Sequence, residues 1–155
     1  MSMSTKIDEP TVILMADDDE DDRLLAKDAM EAAGSKYSCF TVADGQELLD
    51  YLRCEGAFTG KAPAELPSVI LLDLNMPVMD GRETLKQLKA DKFLASIPVV
   101  ILSTSAEVED INDGYGLGAS SYMIKPTEFS SMVTMMKQFN DYWFDCASVP
   151  MMVRH

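Results

Sequence analysis

The sequence predicts an α/β fold: one five-stranded parallel sheet, doubly wound, with helices on both faces in three layers. Two observations carry that expectation. Short apolar runs at 11–16, 37–43, 69–72, 99–102 and 121–124 alternate with longer stretches whose apolar residues recur at helical spacing, and a parallel sheet buried on both faces requires that alternation. Charged residues also close three of the runs: Asp17 and Asp18 after the first, Asp73 after the third, and Lys125, followed by Pro126, after the fifth. In an open parallel sheet the carboxyl ends of the strands form one edge, where crevices bind ligands. Three carboxylates and one ammonium are therefore expected to meet there.

Taken in order, the first strand, 11–16, leads into a helix over 20–33 with Leu24, Leu25, Ala29 and Ala32 at helical spacing and Gly34 as its stop. Residues 37–43 make the second strand, and Asp44-Gly45 opens a helix with Leu48, Leu49 and Leu52 on one face. A Gly-, Ala- and Pro-rich loop over 54–67 is the longest connection. The third strand, 69–72, ends at Asp73; after Asn75-Met76-Pro77 a third helix starts near Asp80-Gly81 and stops before Pro98. Strand 99–102, helix 107–117 with Gly118 at its end, strand 121–124 and helix 128–144 complete the alternation. The domain is expected over 11–147, with an N-terminal extension over 1–10 and a C-terminal tail over 148–155.

A chain of 155 residues is the size of one domain and leaves little room for a second, output domain. Its net charge of -13 disfavours nucleic acid and anionic membrane surfaces as partners. The apolar runs are too short to span a bilayer and no leader opens the chain, so a cytoplasmic protein is expected. Cys39, Cys54 and Cys146 lack metal-ligand spacing and read as ordinary thiols. His155, the single histidine, is terminal and a poor catalytic base.

The acidic run from Asp17 to Asp22 divides in two. Asp19 to Asp22 suit a solvated helix N-terminus, whereas Asp17 and Asp18 directly follow a strand that must be buried. A calcium loop is excluded, because it needs Gly where Asp22 stands and Glu where Asp28 stands. Asp73, taken alone, reads as a capping group or a nucleophile. Beside Asp17 and Asp18 it needs cations to offset the crowded charge. Lys125 supplies one, and a hard divalent ion with oxygen ligands, Mg2+ before Ca2+, completes the balance. A carboxylate beside Mg2+ and an ammonium suits a phosphoryl acceptor.

The stretch Ala16-Asp17-Asp18-Asp19, the segment from Leu72 to Gly81 containing Asp73-Leu74-Asn75-Met76-Pro77, Ser103 closing strand four, and Gly118-Ala119 through Tyr122 to Lys125-Pro126 together resemble bacterial response-regulator receiver domains, over roughly 11–139. The long loop before strand three, the segment Ile97-Pro98 through Ser103-Thr104-Ser105, and the aromatic end of the last helix look more like the single-domain regulators that partner phytochrome histidine kinases. The resemblance implies a flavodoxin-like sheet in the order 2-1-3-4-5. It implies that Asp73 accepts a phosphoryl group from a sensor histidine kinase, with Mg2+ on Asp18, Asp73 and the carbonyl of Asn75 and with Asp17 reaching the ion through water. Lys125, Ser103 and Thr104 would meet the phosphoryl group, Ser103 and Tyr122 would form the switch, and Lys125-Pro126 would be a cis bond. A receiver is a phospho-acceptor, not an enzyme with an external substrate.

Three residues depart from the family pattern. Ala16 stands for a larger aliphatic residue, Thr104 stands where many receivers keep Ala or Gly, and an apolar tail over 149–153 is added. Two rival functions are weaker. A phosphatase of the haloacid-dehalogenase type needs a carboxylate where Asn75 stands, and a pseudo-receiver acting only as a binding module has no use for crowded carboxylates. The output is expected to be a relay phosphotransfer protein or another target protein. On the last helix Phe129, Met132, Val133, Met136, Phe139 and Trp143 form a core stripe. Met135, Tyr142 and Phe144, with Met151 and Met152, are left for a patch that fits a homodimer through helix four, strand five and helix five.

Overall fold

The computed structural model describes residues 13–60 and 66–150. Five parallel strands, β1 (Ile13–Ala16), β2 (Cys39–Val42), β3 (Val69–Leu72), β4 (Val99–Ser103) and β5 (Ser121–Ile124), form one sheet in the order β2-β1-β3-β4-β5. The crossovers carry α1 (Glu20–Ala32), α2 (Gly45–Arg53), α3 (Gly81–Ala90) and α4 (Val108–Gly116), and α5 (Phe129–Asn140) follows β5. Fold class and strand order are those expected.

Successive side chains of a strand point to opposite faces, which explains why the central runs are continuously apolar. Leu14, Ile70, Leu72 and Ile101 pack with Leu48, Leu52, Leu85 and Leu88 of α2 and α3. Ile13, Met15, Leu71 and Leu102 pack with Ala26, Met30, Met132 and Met136 of α1 and α5. Three aspartates start helices by accepting backbone N–H bonds: Asp19 for α1, Asp44 for α2 and Asp80 for α3. Each cap stabilises its helix by about 1 kcal/mol.

Several expectations are corrected. The third helix ends at Ala90 instead of continuing to Pro98. Asp91 turns extended and its carboxylate accepts the N–H groups of Phe93 and Leu94, a local alternative to the helical ladder. The chain then makes a short 3-10 turn at Leu94–Ser96. On α1 the buried face is Ala26, Ala29 and Met30, and Leu24 points to solvent. After Asn140 the last helix widens into a π-helical turn, Asp141–Cys146, which lays Phe144 against Tyr37 at 4.3 Å between ring centroids. Phe144 is thus removed from the expected apolar patch, and Phe129 is exposed instead of packing on the sheet. There is no cis peptide among the described residues, so Lys125-Pro126 is trans. The two isomers of an X-Pro bond differ by only about 0.5–1 kcal/mol, and sequence does not choose between them. Met151 and Met152 lie outside the described residues.

Val78, in the loop after Asp73, holds φ 65°, which is strained for a β-branched residue. Its side chain is exposed and gains nothing by packing. Val78→Gly is expected to stabilise the protein by about 0.5–1 kcal/mol, the relieved strain exceeding the added unfolded-state entropy. Urea unfolding at constant m-value measures it, and a loss of stability would show that the Val78 side chain is needed.

Candidate functional site

Register places the site. Ala16 pairs with Leu72, and Ser103 pairs with Ile124, so the next residues, Asp17, Asp73 and Lys125, leave the sheet at the same edge. Backbone bonds hold them there: Asp73 N–H donates to the Ala16 carbonyl at 3.0 Å, Asp17 N–H to that of Val42 at 3.1 Å, and Lys125 N–H to that of Ser103 at 2.8 Å. Arg23 fixes the first turn of α1 by donating Nη1 to the Asp17 carbonyl at 2.7 Å. Gly81 opens α3 so close beneath the acceptor strand that a Cβ there would overlap the Asp73 carbonyl oxygen and lie 2.7 Å from Leu74 Cα.

Carboxylate oxygens of Asp17, Asp18 and Asp73 lie within 4.8 Å of one another, Asp17 and Asp73 buried and Asp18 exposed. Lys125 Nζ lies 2.6 Å from Asp17 Oδ2, 3.1 Å from Asp22 Oδ2 and 3.9 Å from Asp73 Oδ2. Burial pushes the Asp73 carboxyl up to about 6, opposed by Lys125 and helped by Asp17 and Asp18, while the Asn75 N–H lowers it. For Lys125 burial acts downward, but Asp17, Asp73 and Asp22 outweigh it and hold the ammonium above its ordinary value. Three hard oxygen donors around so small a gap, with one ammonium for three charges, fit a divalent cation.

Ser103 is buried at the end of β4, and its Oγ accepts the Ser105 N–H at 3.3 Å. Tyr122, half-buried, donates its hydroxyl to the Ser105 carbonyl at 2.9 Å, and its ring lies where a Cβ on Gly114 of α4 would approach to 3.3 Å. Ser105 donates its hydroxyl to Asp110, which also meets Arg82, so both expected switch residues join a network linking α3, α4 and β5. Thr104 is exposed and lines a cavity of about 250 Å³ with Asp22, Leu25, Lys125, Pro126 and Thr127. Asn75 lies at the exposed rim.

Sequence reasoning missed Asp22 and the Ser105, Asp110 and Arg82 network. Asp19 stays at the solvated start of α1, as expected, and also caps it, but Asp22 reaches Lys125. No local signal marked it: Asp22 lies in the first turn of α1, where acids are ordinary, and its partner Lys125 is 103 residues away. The cysteines are free, and burial pushes the Cys39 thiol up to about 11, an unreactive state.

Residues 13–137 match the response regulator receiver domain. The chain belongs to this family. The receiver is 36% identical over 137 residues to a probable methanogenesis regulatory protein, FilR2, of Methanothrix harundinacea, spanning 88% of this chain and 85% of that one. It resembles the crystal structure of the phosphorylated cyanobacterial phytochrome response regulator RcpA, with TM-score 0.82, 35% identity, and coverage of 91% of this chain and 99% of that one. It also resembles the Mn2+-bound form of Rcp1 from Synechocystis, with TM-score 0.81, 30% identity and coverage of 91% and 99%. The receiver is a two-component response regulator with an acidic site for phosphorylation at Asp17, Asp18 and Asp73, not a conventional enzyme, and a histidine kinase is the class of partner that receivers take. Among the described residues no helix is long and apolar enough to cross a membrane.

Proposed function

We propose that Asp73 accepts a phosphoryl group from a phytochrome-type sensor histidine kinase and that Mg2+ is the resident ion. The observation that carries this reading is the convergence of three carboxylates within 4.8 Å of one another, two of which, Asp17 and Asp73, face Lys125 at the end of the edge strand β5. RcpA, a phytochrome response regulator, is matched over 99% of its length. Asp17, Asp18, Asp73 and the backbone of Asn75 would hold the ion, which supplies charge neutralisation for the transferring phosphoryl oxygens. An Asp73 carboxylate oxygen attacks phosphorus as the P–N bond to the kinase histidine breaks, forming an aspartyl phosphate; Lys125 then faces the phosphoryl oxygens, and hydrolysis returns the carboxylate. Ser103 turns to the phosphoryl group, its bond to the Ser105 N–H is exchanged, and Tyr122 follows because it holds the same loop. The kinase docks over the cavity that Leu25, Pro126 and Thr127 line beside Lys125, using the exposed Leu24 of α1 and Phe129 of α5. Output is read on the face of α4, β5 and α5, where Val108, Tyr115, Ile124 and Tyr142 are exposed. That surface suits a second copy of the chain or a relay or target protein.

Intact mass after incubation with Mg2+ and acetyl phosphate or phosphoramidate tests the proposal. One phosphoryl adduct, lost on chelation and in Asp73→Asn, is expected. Absence of an adduct with both donors would favour a phosphorylation-independent binding module. Thr104 at the rim narrows the path for water, so the adduct of Thr104→Ala is expected to decay several-fold faster than the parent's; equal half-lives would remove Thr104 from the site.

A further inference from the structure

Lys125 is held by a carboxylate that is not one of the three grouped acids. Its Nζ is 3.1 Å from Asp22 Oδ2 and 3.9 Å from Asp73 Oδ2, so the cation that would meet the phosphoryl group lies nearer to Asp22 than to the acceptor. We propose that Asp22 is a displaceable counter-ion that holds Lys125 back from the phosphoryl position, so that loading Asp73 requires Lys125 to exchange Asp22 for phosphoryl oxygens. Asp22 is thereby a positioning residue for the phosphoryl transfer. The inference rests on the reading of Lys125 given above.

Three features make Asp22, and not Asp17, the partner that lets go. Asp17 and Asp73 belong to the triad, and a divalent ion there offsets their pull on Lys125; Asp22 lies outside that group and keeps its full charge for the ammonium. The side chain of Asp22 is 39% exposed and that of Asp17 is 1% exposed, so a released Asp22 carboxylate returns to water, whereas a released Asp17 would remain buried and unpaired. Asp22 is also fixed in place, since α1 is capped by Asp19 and tied to the Asp17 carbonyl by Arg23. The acid therefore competes from a constant position at the rim of the cavity that Lys125 shares. The exchange breaks one ion pair and forms another, and no covalent bond to Asp22 is involved.

The test is the affinity of the Mg2+-loaded protein for beryllofluoride, a phosphoryl mimic, by calorimetry, with Mg2+ affinity measured separately. Asp22→Asn is expected to tighten beryllofluoride about three- to tenfold, since it frees Lys125 and removes one negative charge near the incoming anion, while Mg2+ binding stays equal or weakens. Asp22→Glu keeps the charge and is expected to bind like the parent. Asp21→Asn removes the same charge from the exposed side of α1 and is expected to stay within twofold. Equal or weaker beryllofluoride binding by Asp22→Asn overturns the proposal, as does an equal gain in Asp21→Asn, which would reduce the effect to net charge. A parent protein that binds no beryllofluoride overturns the reading of the site itself; a parent that binds with Asp22→Asn unchanged overturns Asp22 alone.

Discussion

Asp73→Asn is expected to melt above the parent protein in metal-free buffer at pH 8. The Asp73 carboxyl is raised to about 6, so the folded protein holds that proton more tightly than the unfolded chain does. By linkage, the stability tied to this group is fully present below the unfolded value near 4, falls as pH rises through the window from about 4 to 6, and is absent above it. At pH 8 the parent therefore carries a buried, repelled carboxylate that Asn lacks. Raising a carboxyl from near 4 to about 6 corresponds to about 3 kcal/mol; water at the rim screens part of it, leaving about 1–2 kcal/mol, or roughly 3–6 °C for a chain of this size. The advantage should vanish below about pH 4. It should also shrink when Mg2+ is added, because the ion stabilises the parent and binds the variant less well. Thermal melts of both proteins at pH 4, 6 and 8, with and without Mg2+, check this. A destabilised Asp73→Asn at pH 8 would make Asp73 a structural group instead of a poised nucleophile.

Lys125→Met should have the opposite sign. The ammonium is nearly buried and lies 2.6 Å from Asp17, itself buried. Removing it leaves the buried Asp17 carboxyl without its cationic partner, beside Asp18, Asp22 and Asp73. Breaking a buried pair from one side costs about 3–5 kcal/mol; the open rim lowers the expected loss to about 2–4 kcal/mol in metal-free buffer. Mg2+ should restore more stability to this variant than to the parent, since the ion replaces the missing charge. Urea unfolding with and without Mg2+ measures both effects. A variant as stable as the parent without metal would show that Lys125 offsets little of the site's charge at rest.

The strands were readable because each central one is covered on both faces, so residues such as Val69 to Leu72 form unbroken apolar runs that helices do not need. The three acids and Lys125 were readable for a related reason: each ends such a run, and parallel strands deliver their ends to one edge. Asp22 was not, because its partner is 103 residues away and a helix N-terminus rich in acids is an ordinary solvated feature. The break at Asp91 was hidden because its carboxylate caps the next turn of the chain, at Phe93 and Leu94, in place of a Gly or Pro stop. The turn of Phe144 onto Tyr37 was hidden too, because a π-helical turn leaves apolar spacing almost unchanged.

The sequence by itself determined the alternation of strands and helices, the edge at which the acids meet, and the kinship to receivers, since these come from local periodicity and from residues placed at strand ends. Tertiary structure alone decided which carboxylate holds Lys125, the joining of Ser103 and Tyr122 through Ser105, and the trans Lys125-Pro126 bond. Those are contests between near-equal alternatives separated by about a kilocalorie, and only the packed geometry around them selects the winner.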